Sequence, residues 1–396
     1  MFGNAPSRTR PSGIAPLVRP AAPIPRARQL APPDIVLFAS VAALVAIGLV
    51  MIYSASSATA YAAYHDTAYF LKRQFVWLTF ALPAAFVAYR IDYRRLRGVA
   101  TAGIVLAFVA LVAVLVPHVG EVSGGSRRWL GAGAISFEPS EFAKLGLVVF
   151  LAAKLSTHGE RVCSLARGVV PCLLVTCALA VPVLLQPDMG TASLLIFTAF
   201  GLLFCAGARL EHLGLCALAM LPVVALAIGS SAYKRARILA FLDPWKDPQN
   251  TGFHIVQSLL ALGSGGLVGL GLGASRQKFF YLPEQYTDFI FAILGEELGL
   301  LGALGVLALF VVFAFRAVRI ALAAPDRFGM LLALGCALLI VIQAFVNIGV
   351  VTSSWPVTGV PLPFVSFGGT SLVVSLIAVA LIINVGRHRV ASDAPF

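Results

Sequence analysis

Residues 281–302 read YLPEQYTDFIFAILGEELGLLG. Pro283 stops any helix before it, and the apolar run that follows has the character of a membrane span. Yet Glu284, Asp288, Glu296 and Glu297 sit at its mouth or inside it. A charge at the bilayer centre costs roughly 2.5–3.5 kcal/mol on insertion scales, so acids in such a segment call for a functional reading. Eight residues of helix put Glu296 about 12 Å below Asp288, too far for both to serve one reacting atom. At 100° per residue Glu296 lies about 80° round the helix from Asp288, and Glu297 about 180°.

The rest of the chain supports a membrane setting. Of its 396 residues 59% are hydrophobic and only 12% charged, half the charged share of about 25% typical of a soluble domain. Runs long enough to span fall near 34–54, 74–90, 99–117, 141–156, 168–185, 190–207, 212–230, 288–315, 328–350 and 366–386. The expected fold is an all-α polytopic membrane protein with about ten helices. With both termini inside, the inner segments hold 18 Lys and Arg and the outer ones 10, the asymmetry that favours this orientation. One large outer loop, 231–287, then joins helices seven and eight. Residues 1–33, rich in Pro, Ala and Arg, read as a disordered cytoplasmic tail, and residues 34–390 as the membrane domain. The six cysteines lack metal-ligand spacing and read as small core residues.

Several polar groups have two readings. Thr287 is placed to cap the eighth helix, with Asp288 in its first turn. There Asp288 either favours the helix dipole or faces a wet cavity as a general base or cation ligand. One of Glu296 and Glu297 is expected to pair with Lys144 of the fourth span; the alternative is a proton path. Glu141 and Lys144, at i and i+3, are set to pair on one face. In GGSRRWLG (124–131), Arg127 and Arg128 are either snorkelling side chains or a phosphate clamp. Gln186 and Asp188 occupy a Pro- and Gly-bounded corner.

The outer loop carries an amphipathic stretch, 254–262, suited to lying on the outer leaflet. The run GSGGLVGLGLG follows; it lacks a Walker Lys-Ser/Thr ending. Arg235 and Arg237 precede it, and Arg276 and Lys278 follow. VPLPFVSFGGTSL (360–372) cannot be a plain helix, and irregular backbone at that depth implies a protein-lined or watery cavity. Together these features describe an outer cavity with basic walls, an ionised acid and greasy helices, fit for a lipid with a phosphorylated head.

RRWLG, FEPSEFAKL, QPDMGTA, DPWKDPQNTGFHIVQSLLALGSGG, SRQKFFYLPEQYTDFIFAILGEELGLLG and PLPFVSFGGTSL occur in one order. That order resembles the SEDS family (shape, elongation, division and sporulation) of FtsW, RodA and SpoVE, across most of residues 34–390. The DPW and GLGASRQKFFYLPE pieces look closest to FtsW. FtsW relatives often carry a Lys shortly before the last motif; none occurs between Val351 and Gly359.

The resemblance implies a peptidoglycan glycosyltransferase of the bacterial cytoplasmic membrane, its active site facing outside, that polymerises lipid II for division or cell shape. The family's catalytic Asp matches Asp288. Arg127, Arg128, Arg235, Arg237, Lys278, Glu284, Gln257 and Ser264 are the substrate-binding candidates, and Glu141, Lys144, Glu296 and Glu297 the structural ones. A divalent cation, Mg²⁺ or Mn²⁺, is expected near Asp288, with no organic cofactor. Expected partners are a class B penicillin-binding protein and other division or elongation proteins, with no nucleic acid. A lipid II flippase would instead need the mid-depth acids, and a non-catalytic division scaffold would leave Asp288 replaceable.

Overall fold

A computed structural model describes residues 31–388, apart from 124–125, 133–134, 230 and 280–281. Most of the expected tail, residues 1–30, therefore lies outside the described residues. The chain is mostly helical: α1 (Ile35–Tyr64), α2 (Tyr69–Arg90), α3 (Leu96–Leu115), α4 (Pro139–His158), α5 (Val170–Leu185), α6 (Met189–Cys205), α7 (Leu210–Gly229), α8 (Ala232–Leu242), α9 (Phe253–Gly265), α10 (Ile290–Leu322), α11 (Arg327–Val351) and α12 (Gly369–Arg387). Among the described residues, six helical stretches are long and apolar enough to cross a membrane. α11 and α12 are buried along most of their length and form the core. α3 turns Val99, Val105, Leu106 and Val109 outward, the surface expected of a lipid-facing helix, because lipid tails are as apolar as the side chains they meet.

The expectation of an all-α chain needs one correction. Residues 120–137 form a three-stranded antiparallel sheet, β1 (Gly120–Ser123), β2 (Ser126–Ala132) and β3 (Ile135–Phe137). Glu121 lies opposite Trp129, and Leu130 opposite Phe137. The segment is rich in Gly, Ser and Arg and has no apolar run long enough for a span, and antiparallel strands can pair within so short a stretch.

A second departure is the outer loop. It contains α8 and α9, and α9 packs against α10 with backbone touching backbone: a Cβ on Gly265 would lie 2.0 Å from the Gly295 oxygen. The amphipathic stretch is therefore seated on the helix bundle by its glycine end. Beyond it the glycine run follows α10 to a break at Gly299 (φ 69°), a backbone region costly for any residue with a Cβ. The run repairs that break. Leu270 and Gly271 N–H groups donate to the Glu296 and Glu297 carbonyls (both 3.0 Å), and Leu300 and Leu301 donate to Gly266 and Leu267 (2.9 and 3.1 Å). Freed helix groups at this depth are thus satisfied by protein.

The first and last described segments meet on one side. Asp34 caps α1 through the Leu37 N–H (2.9 Å) and receives Arg316 Nε at 3.0 Å. The Ala31 N–H donates to the Arg387 carbonyl (2.8 Å).

Candidate active site

α10 begins at Ile290, with Phe289 as its cap residue. Thr287 is therefore no N-cap; its hydroxyl turns back to Glu284 Oε2 (2.8 Å), and Asp288 sits in the turn above the helix. That turn is pinned from several sides. Asn347 Nδ2 of α11 donates to the carbonyls of Asp288 (2.7 Å) and Val360 (2.8 Å). Ser366 Oγ donates to the Thr287 carbonyl (2.6 Å), and the Phe367 N–H to that of Tyr286 (2.9 Å). Gln285 Nε2 reaches Thr59 Oγ1 and the Lys278 carbonyl, both at 2.9 Å. His254 of α9 stacks on the Phe289 ring, centroids 5.8 Å apart.

Held in this way, Asp288 lines a cavity of about 310 Å³ with Arg128, Trp129, Glu138, Glu141, Arg237 and Glu284. Gly359 closes one side at φ +75°; a Cβ there would stand 3.5 Å from Asp288 Oδ2. Arg128 comes from β2, where alternate side chains face opposite ways. Arg128 thus turns inward while its neighbour Arg127 stays exposed. Its guanidinium donates to the Gln186 (3.2 Å) and Pro187 (2.9 Å) carbonyls and lies 3.5 Å from Asp188. Asp188 caps α6 through the Thr191 N–H (2.9 Å). Arg237 of α8 donates to the Val357 carbonyl (3.4 Å).

The cavity is more acidic than the sequence suggests. Four carboxyl groups, Glu138, Glu141, Glu284 and Asp288, share it with two arginines. Burial, then the charges of Glu284 and Asp188, push the Asp288 carboxyl up to about 7, against the opposing pull of Arg128 and Arg237. Glu138, which precedes α4 and accepts from Ser140 Oγ (2.7 Å), is pushed to about 8 by burial and by Glu141 and Asp188. Burial and acidic neighbours thus favour the protonated form of Asp288, where the sequence reading expects it fully ionised among cations.

Other candidates lie elsewhere. Lys144 bonds Glu141 (2.8 Å) and Gln343 (2.9 Å), both buried with it. The expected pair between Lys144 and Glu296 or Glu297 is therefore absent, since its partners stand on α4 and α11. Glu297 instead accepts from Ser54 Oγ (2.6 Å) and pairs with Lys278 (3.5 Å). Glu296 accepts from the Arg276 N–H (3.0 Å) and from the Ser275 hydroxyl. Lys278 is buried in this network and does not line the Asp288 cavity. Arg235 points out and donates to the Gly229 carbonyl (3.1 Å). Gln257 lies half-buried on α9, and Ser264 donates to the Ala261 carbonyl (2.9 Å); neither lines the cavity.

Sequence reasoning passed over Glu138 and Asn347. A buried Asn in an otherwise apolar span was the available signal, since such groups need partners.

Two further spaces adjoin the cavity. A groove of about 500 Å³, walled by Ile196, Phe197, Phe200, Leu221, Val224 and Trp355, shares Arg237 and Thr358 with it. A smaller one of about 260 Å³ holds Arg73, Trp77 and Glu121 and shares Trp129, Thr287 and Phe367.

Comparison with known proteins sets this site in a family. The chain is 45% identical to the stage V sporulation protein E of Bacillus subtilis over 356 residues, covering 90% of this chain and 97% of that protein. It is 42% identical to a probable peptidoglycan glycosyltransferase FtsW of Geobacter metallireducens, covering 90% and 95%. Among solved structures, a peptidoglycan synthase complex that coordinates polymerization and crosslinking contains a chain with TM-score 0.75 and 32% identity, covering 91% of this chain and 99% of that one. The rod shape determining protein RodA of Thermus thermophilus gives 0.67 and 31%, covering 91% and 98%. The FtsW/RodA/SpoVE cell cycle protein model matches residues 34–391, and the chain belongs to that family.

Proposed function

We propose that this chain is a peptidoglycan glycosyltransferase that joins lipid II disaccharides into glycan strands, with Asp288 as general base. The observation that carries the reading is the placement of Asp288, pinned by Asn347 on the floor of a cavity flanked by two arginines and an apolar groove. A sugar 4-hydroxyl is a poor nucleophile. Asp288 takes its proton as the oxygen attacks the anomeric carbon, and a base that titrates near 7 is well matched to that task. The bond from the anomeric carbon to the pyrophosphate oxygen breaks, and its electron pair leaves with the lipid pyrophosphate. Arg128 and Arg237 stand where that charge grows and favour it without reorganisation. The apolar groove beside Arg237 takes the prenyl chain, which fixes the donor relative to Asp288.

The excess of carboxyl groups fits a divalent cation. The charge of Glu284 helps to hold the proton on Asp288, and a cation relieves that repulsion. Among the described residues no group of three or more His, Cys, Asp or Glu is arranged to enclose a metal. Asp288 with Glu284 would hold Mg²⁺ or Mn²⁺ jointly with pyrophosphate oxygens, the mode Mg²⁺ favours. Such an ion would neutralise charge on the leaving group.

In this reading the ten long helices all cross the membrane, both termini lie in the cytoplasm, and the Asp288 cavity opens outward. A class B penicillin-binding protein would supply the crosslinking, in line with the complex among its structural neighbours. With purified protein and labelled lipid II, Asp288→Ala is expected to fold and make no glycan. Normal polymerisation by that variant would overturn the proposal.

A further inference from the structure

The end of the bundle opposite Asp288 carries a second cavity, with three arginines at its wall. Arg97 stands in the first turn of the 20-residue α3, whose far end runs into the sheet that supplies Arg128, so Arg97 lies about 30 Å from the catalytic end. Arg327 opens α11, twenty residues before the Asn347 that grips Asp288. Between them lies a space of about 330 Å³ lined by Arg94, Arg97, Ser156, Asp326, Arg327 and Phe328.

The charges in this space do not cancel. Asp326 is consumed by its neighbours: Arg94 Nε and Nη2 donate to it at 3.1 and 3.0 Å, the Tyr93 hydroxyl donates to it, and it caps α11 through the Gly329 N–H (2.8 Å). Arg94 also meets Asp92 at 3.7 Å, so both acids are engaged by the same arginine. Among the described residues Arg327 gives a single bond, to the Ala206 carbonyl (2.8 Å), which leaves most of its five donors unused there. Arg97 is exposed and forms no ion pair among the described residues. Two guanidinium forks thus face a space with Ser156 at its wall, an arrangement suited to phosphate oxygens. Directly beyond Arg97, α3 presents Val99, Val105 and Leu106 outward, a surface along which acyl chains can lie.

We infer that this cavity binds the phosphate headgroup of an anionic phospholipid from the leaflet opposite the catalytic cavity. Basic recesses at helix ends bind such headgroups through charge, while apolar flanks hold the chains. The site is independent of the glycosyltransferase reading, because it shares no residue with the Asp288 cavity.

The test is lipid retention by the full chain. Protein in nanodiscs of phosphatidylcholine with a minority of phosphatidylglycerol is extracted in mild detergent and weighed by native mass spectrometry. Wild type is expected to carry bound phosphatidylglycerol well above its share of the bilayer. Arg97→Gln with Arg327→Gln should lower that retention about thirtyfold, the loss expected for two basic contacts. Arg95→Gln, a nearby exposed arginine outside the cavity, should leave it unchanged. A separate arm adds millimolar inorganic phosphate: displacement of the lipid at that level would assign the site to free phosphate instead. Equal retention in wild type and the double variant, with unchanged unfolding temperature, would overturn the inference.

Discussion

Asn347 donates to the main-chain carbonyl of Asp288 at 2.7 Å and, from the same nitrogen, to Val360 at 2.8 Å. One amide therefore ties the proposed base to the 358–361 segment that forms the other wall of its cavity. Removing it leaves two carbonyls short of a donor, at about 1–3 kcal/mol per buried group. Asn347→Ala is expected to lower kcat by about 10–100-fold, the range for misplacing a reacting group by an ångström. KM should move little, since Asn347 meets backbone and does not line the cavity. A circular dichroism melt separates this outcome from unfolding.

The Asp288 carboxyl, raised to about 7, sets a pH dependence. As base it works ionised, so kcat/KM should rise through about pH 7 and level off above it. The stability sign is opposite. The native state holds this proton more tightly than the unfolded chain, so ionisation disfavours the fold as pH climbs from the ordinary value of 3.8 through 7. Asp288→Asn should therefore melt higher than wild type at pH 8, with the gap closing by pH 4. Equal melting temperatures at pH 8 would contradict the raised carboxyl.

Glu297 and Lys278 form a buried pair, 3.5 Å apart. Breaking one side of such a pair costs about 3–5 kcal/mol, because a lone charge is left behind. Lys278→Met alone should destabilise strongly in thermal unfolding, and Lys278→Met with Glu297→Gln should recover part of the loss. If the single and double variants melt alike, the two charges do not stabilise each other in the fold.

Gly359 sits at φ +75°, facing Asp288 Oδ2. A side chain there carries about 1–2 kcal/mol of backbone strain and narrows the approach to the carboxylate. Gly359→Ala should reduce glycan synthesis several-fold while lipid-linked substrate still binds, measured by polymerisation and equilibrium binding side by side.

Hydropathy alone located ten of the twelve α-helices among the described residues; α8 and α9, in the 231–287 loop, fall outside its runs. Each of the ten apolar runs falls on a helix of the structure, because the cost of unpaired backbone in lipid leaves little alternative. The sequence also isolated Asp288, whose spacing from Pro283 and the apolar run placed it at a helix mouth, and it foresaw the i, i+3 bond between Glu141 and Lys144, a matter of local geometry. It could not decide partners across elements. Lys144 has Glu141 beside it and Gln343 199 residues away, and Lys278 reaches Glu297 only because the glycine run folds back along α10 to the break at Gly299. The acid excess of the cavity is likewise a tertiary fact. Glu138, Asp188 and the turn that holds both Glu284 and Asp288 are three separate segments, and their convergence in a poorly solvated space lifts the carboxyl that would do the chemistry.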